Sequence, residues 1–213
     1  AEHSLFDEAH SPGVGIDEDR VNLGTRTDAM KMEVTAFSRF HPQWLHYKLS
    51  ANAEYRIRFA DRAYRAFKTG GVFSTEKSLA RLNGRIDEID LAVIAESARW
   101  GDSKTVSYAF NKNDHWLPEV NKIRNKFIPY RNNKVLAQLR NAGLYSTTKP
   151  PEISGPSGKI TNPDFILGTS TEIRIDNQNP SGVIYYTFDG SDPRSIGGTV
   201  NNSAKSNNAD FTI

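Results

Sequence analysis

The spacing of apolar residues changes once along this chain, and that change limits what the chain can fold into. Up to about residue 145 apolar side chains recur every three or four positions; near the end they alternate, as in "IYYTFDGSDPR" over 184–194. A helix repeats every 3.6 residues and a strand every 2, so the two stretches cannot share one kind of structure. Between them runs "STTKPPEISGPSGK", where prolines and glycines break up a stretch without apolar period. The expected fold class is α+β in two modules: a mainly α-helical amino-terminal lobe over 1–145, a Pro/Gly linker over 146–157, and a small antiparallel β-module over 158–213.

Within the first stretch, residues 1 to about 40 carry scattered Gly and Asp and show little periodicity, which predicts a long loop or an irregular packed segment. Helical patterning begins near His41 and Pro42, a residue suited to a first helical turn. "NAEYRIRFADRAYRAF" sets Tyr55, Phe59, Ala63 and Phe67 on one arc and Arg58, Arg62 and Arg65 on a separate stripe, and Gly70 and Gly71 follow it as a stop. Ser74 is a helix cap with Glu76 in the first turn. Leu79, Leu82, Ile86, Ile89 and Val93 then form an apolar seam that Gly101 ends. A fourth helix is expected from about Asp114, with Pro118 in its first turn; Pro129 interrupts, and "RNNKVLAQLRNAGL" makes the last helix. In the second stretch, strands are expected over 164–167, 171–175 and 183–188, with turns at "NPSG" and "DGSDP".

Composition removes several function classes. The net charge of +2 gives no electrostatic footprint for nucleic acid, and no run reaches the roughly 18 apolar residues that cross a bilayer. With no cysteine there is neither a disulfide nor a thiolate nucleophile nor a cysteine zinc site. No phosphate-cradling glycine loop occurs, since "GKI" and "GTS" lack the spacing and the strand-to-helix context.

The remaining chemistry-bearing residues divide into few groups. Arg58, Arg62 and Arg65 are a possible contact for phosphate or an acidic partner, although Glu54 and Asp61 are near enough in sequence to pair with them. The acids of "DEDR" at 17–20 read as exposed loop acids, with cation binding as the sharper alternative. His41 and His46 have the wrong spacing for a helix-face metal pair, and His115 is expected to pack or to start a helix. Glu96, Arg99, Trp100 and Asp102 of "ESARWGD" are expected to form a buried polar cluster. Tyr185 and Tyr186 are the possible sugar platform of the β-module, while Asp189 and Asp192 are expected to organise the turn through bonds to backbone.

Two family resemblances extend this reading. "PEISGPSGKI", "TEIRI" and "IYYTFDGSDPR", about residues 151–194, are similar to the Ig-like module at the carboxyl end of chitobiases and β-hexosaminidases, which implies a small antiparallel β-sandwich. The Ser/Asn-rich end of this chain departs from that family, which adds further strands. "AEHSL", "AEYRIRFADRAYRAF", "AESARWGDSK" and "VLAQLRNAGLY", within about residues 1–145, resemble the carboxyl-terminal part of the spore-coat CotH kinase family in its large extracellular bacterial versions. That resemblance implies a remnant of a kinase-like lobe. It assigns Glu2 to a metal-holding acidic motif, with the nucleotide lobe and the catalytic acid upstream.

The resulting expectation is a piece of a longer polypeptide, a non-catalytic structural or interaction segment of a secreted or cell-surface multidomain bacterial protein. It has no cofactor of its own; ATP and a divalent metal belong to the intact parent if that parent is a CotH-type kinase. Its expected partners are the remainder of the parent polypeptide or other surface proteins, with a glycan as the alternative for the β-module, and neither nucleic acid nor a membrane span is expected.

Overall fold

A computed structural model of the chain describes residues 15–19, 21, 42–103, 105, 107–161 and 172–213. Helices and small antiparallel sheets are both present, as an α+β chain requires. The chain divides into two compact units, Ala1–Glu33 with Tyr64–Leu139 and Val34–Ala63 with Arg140–Ile213. These differ from the expected segments 1–145, 146–157 and 158–213, because the boundary at Tyr64 falls inside a helix and the strands are grouped with the residues before it.

Helix α1 is Pro42–Leu49 and α2 is Ala53–Phe67. His46 Nδ1 lies 2.8 Å from the Tyr55 hydroxyl, and its ring packs against Tyr55 and Phe59 at centroid distances of 5.8 and 5.4 Å. Burial holds the His46 imidazole below its ordinary value, so the neutral ring is the favoured form. Helix α3, Thr75–Trp100, starts where the sequence indicates: the Ser74 hydroxyl accepts the Lys77 N–H, and Glu76 reaches back to the Gly70 N–H at 2.7 Å. Of the α3 seam, Leu79 and Leu82 pack on a core of Ile123, Phe127 and Ile128, and Ile86 is buried. Burial then fades: Ile89 is exposed and Val93 half-buried.

The second half of the helical unit departs from expectation. Asn111 caps a helical run over 112–141 by accepting the Asp114 N–H at 2.8 Å. That run consists of a π segment Lys112–Trp116, helix α4 Leu117–Lys122, a second π segment Ile123–Phe127, and helix α5 Ile128–Asn141. Pro129 was expected to interrupt, but the helix continues through it. Each π segment ends two residues before a proline, Pro118 in one case and Pro129 in the other. Proline lacks an N–H and collides with the carbonyl four residues back. In the widened turn the Leu117 and Ile128 N–H groups reach the Lys112 and Ile123 carbonyls, five residues back, which makes room for each ring.

Residues 15–19 are held against α5 by a polar arrangement. Arg131, 7% exposed, donates through Nη1 to the Ile16 carbonyl at 2.8 Å and the Glu18 carbonyl at 2.9 Å. Gln138 donates to the Glu18 carbonyl at 2.9 Å, and Lys134 pairs with Asp17. Buried backbone carbonyls need donors, and these side chains supply them.

In the other unit six short strands make two antiparallel sheets. The four-stranded sheet has the order β2 (Gly158–Lys159), β1 (Glu152–Gly155), β3 (Arg174–Asp176), β6 (Phe211–Thr212); β4 (Ile184–Tyr186) pairs with β5 (Lys205–Asn207). Ile153 faces Ile175, which in turn faces Phe211. Strand β1 lies inside the stretch expected to be linker. Its Gly155–Gly158 pairing shows that "GPSG" is the two-residue hairpin turn between β1 and β2. The expected strand over 164–167 lies outside the described residues. Of the one expected over 171–175 only 174–175 fall in β3, and of that over 183–188 only 184–186 form β4.

Candidate functional site

The expected contact residues do not converge. Glu2 lies outside the described residues. Arg58 donates to Glu54 at 2.6 Å, whereas Arg62 and Arg65 are exposed and make no ion pair among the described residues. Tyr185 is 42% exposed on β4; Tyr186 on the opposite face is half-buried against Phe211 (4.9 Å) and Phe188 (5.4 Å), where it packs.

The turn after β4 binds the first part of α2. Asp189 Oδ1 accepts the Ser191 N–H at 3.0 Å and Asp192 Oδ1 the Arg194 N–H at 2.9 Å, so both aspartates organise the turn as expected. Gly190 supplies the positive φ of 78° that the turn requires. Arg194 then forks onto Asp61, with Nη2–Oδ2 at 2.6 Å and Nη1–Oδ1 at 3.2 Å, and Glu54 accepts the Gly197 N–H at 2.9 Å. The Gly197 N–H, with Arg58 behind it, holds the Glu54 carboxyl below its ordinary value, and Arg194 does the same to Asp192. This arrangement uses its charges on itself.

The helical unit contains the better candidate. Beyond Ile86, the only buried residue of α3, the seam no longer closes and leaves a cavity of about 620 Å³ at the end of the helix. That volume is in the range of ligand pockets. Val93, Trp100, Phe110 and Trp116 form apolar walls. Glu96 and Glu119 contribute carboxylates, and among the described residues neither lysine nor arginine lines the cavity. The segment 107–110 closes one side because the Phe110 N–H donates to the Gly101 carbonyl at 2.7 Å. At Gly101 φ is −58°, so handedness is not the reason for glycine; a Cβ there would lie 2.4 Å from the Phe110 carbonyl oxygen.

His115 is built into the same wall. Its ring stacks on Tyr108 (5.4 Å, 4°) and meets Phe110 edge-on at 4.9 Å. Nδ1 lies 3.1 Å from the Asn111 nitrogen and accepts its N–H, which leaves the proton of a neutral ring on Nε2. Its packing role is as expected; its place beside a cavity is not. The "ESARWGD" residues correct an expectation. Glu96, Arg99 and Asp102 are exposed and Trp100 is 52% exposed, so they do not form a buried cluster. No residue of α3 beyond Ile86 is buried, and Arg99 lies over the Trp100 ring at 5.0 Å from its centroid.

Fold and cavity together define an α+β protein with an open aromatic recess edged by acids. No family model, curated protein or solved structure matches the chain.

Proposed function

We propose that this chain is a non-catalytic interaction segment of a secreted or cell-surface multidomain bacterial protein, and that the recess at the end of α3 is where it engages its partner. One observation carries the reading: the serine and the histidine of the recess, the pair that a nucleophilic mechanism would use, are already bonded to backbone. The Ser97 hydroxyl donates to the Val93 carbonyl at 2.7 Å, and His115 Nδ1 accepts the Asn111 N–H. A serine nucleophile needs a base to take its proton, and this serine directs that proton at a carbonyl instead. Apolar walls with few polar groups suit recognition.

The CotH resemblance supports the extracellular setting, with the rest of the parent polypeptide or another surface protein as partner; the chitobiase resemblance supports an Ig-like sandwich for the β-module. Among the described residues no three His, Asp or Glu side chains are grouped as metal ligands. No described helix is long and apolar enough to cross a membrane.

A thermal-shift titration with ATP and manganese tests the reading. A nucleotide at 100 times its Kd adds about 2.7 kcal/mol of stability. The expected result is no shift; a saturable shift contradicts the proposal.

A further inference from the structure

We infer that the recess at the end of α3 takes an organic ammonium group, the headgroup of a free small molecule or the side chain of a partner's lysine. The inference rests on the recess being a recognition site and adds what it recognises.

Three observations support it. Among the described residues the charges in the lining are of one sign, since Glu96 and Glu119 face the cavity and no lysine or arginine does. Glu119 is already paired with Lys122, whereas Glu96 makes no hydrogen bond or ion pair among the described residues. Its carboxylate therefore stands ready for an incoming cation. Second, two indole rings, Trp100 and Trp116, wall the cavity. Indole faces carry the strongest negative quadrupole of the aromatic side chains and attract cations within about 6 Å of the ring centroid. Third, the Trp100 ring already attracts a cation in this way, with the Arg99 guanidinium 5.0 Å from its centroid. The apolar walls fit the methyl or methylene groups around an ammonium nitrogen. A neutral sugar satisfies the aromatic rings but gives no role to the unpaired Glu96 carboxylate.

Two matched pairs of probes test the inference on the whole chain: choline against its neutral isostere 3,3-dimethylbutan-1-ol, and N-acetyl-lysine methylamide against N-acetyl-norleucine methylamide. Binding is followed by calorimetry and by the indole N–H resonances of Trp100 and Trp116. In at least one pair the cation is expected to bind about tenfold more tightly than its neutral partner, the sum of a cation–π and a carboxylate contact. Preference within the choline pair assigns a free ammonium compound; preference within the lysine pair assigns a side chain of a partner. Glu96→Gln is expected to lower the affinity about fivefold with an unchanged melting curve, and Trp100→Phe to lower it by a smaller factor. Equal binding of cation and isostere in both pairs, no binding, or an unaffected Glu96→Gln variant would overturn the inference. If those failures come with no response to ATP and manganese, only the cation assignment falls; a nucleotide response removes the recognition reading itself.

Discussion

Arg131 illustrates how much one side chain can hold. It is buried, and its guanidinium ties α5 to the Ile16 and Glu18 carbonyls across 115 and 113 residues of sequence. Arg131→Ala removes the donor of the Ile16 carbonyl, leaves the Glu18 carbonyl to Gln138 alone, and opens space beside them. Loss of charge-assisted bonds to buried acceptors costs about 2–3 kcal/mol, and urea unfolding of the variant is expected to show a loss of that order. A change below about 0.5 kcal/mol would mean that water replaces the arginine. Nothing in "RNNKVLAQLRNAGL" marks Arg131 for this role, because its partners are backbone atoms that composition cannot reveal. Glu54 gives a pH-dependent counterpart. Its carboxyl is held below the ordinary 4.5 by the Gly197 N–H and by Arg58, so the unfolded chain takes up its proton first. Its contribution is complete above pH 4.5 and is lost as pH falls through the depressed folded value. Thermal melts from pH 6 to 3 are expected to show wild type losing its advantage over Glu54→Gln as the solution is acidified; a constant difference would contradict this.

At the scale of elements, the sequence allows α2 and α3 to be read because their apolar residues recur at helical spacing and Ser74 and Glu76 mark the start of α3. The hairpin phrase of β4 is equally readable, as its aspartates act within the turn that they belong to. Two features escape such reading. The helix continues through Pro129 because a π turn makes room for the ring, a local adjustment that propensity does not encode. The recess needs the end of α3, the 107–110 segment and the first π segment together, so neither "ESARWGD" nor His115 reveals it alone. Paired tryptophans flanking a glycine-ended helix and a histidine were the available signal. Gly101 tests the element directly. An alanine Cβ would meet the Phe110 carbonyl oxygen at 2.4 Å, so Gly101→Ala is expected to displace 107–110 and to destabilise the chain by about 1–3 kcal/mol, as overpacking does. Unchanged amide exchange at Phe110 in that variant would show that the two segments are not held together as described.

For the whole molecule, the α+β class followed from the change of hydrophobic period, while the grouping of residues into units did not. The strands are grouped with Val34–Ala63, and two contacts within that unit, Arg194 with Asp61 and Gly197 with Glu54, join positions 133 and 143 residues apart. Alternation and turn residues identify a strand; they do not say which helix its turns will meet. The functional account has the same structure: recognition is read from an assembled recess, not from a motif. Its central claim is that this chain binds without turning anything over. The most direct test is incubation of the whole chain with γ-labelled ATP, manganese and a general protein substrate. The account predicts neither label transfer nor phosphate release above a heat-denatured control; sustained, saturable release would contradict it.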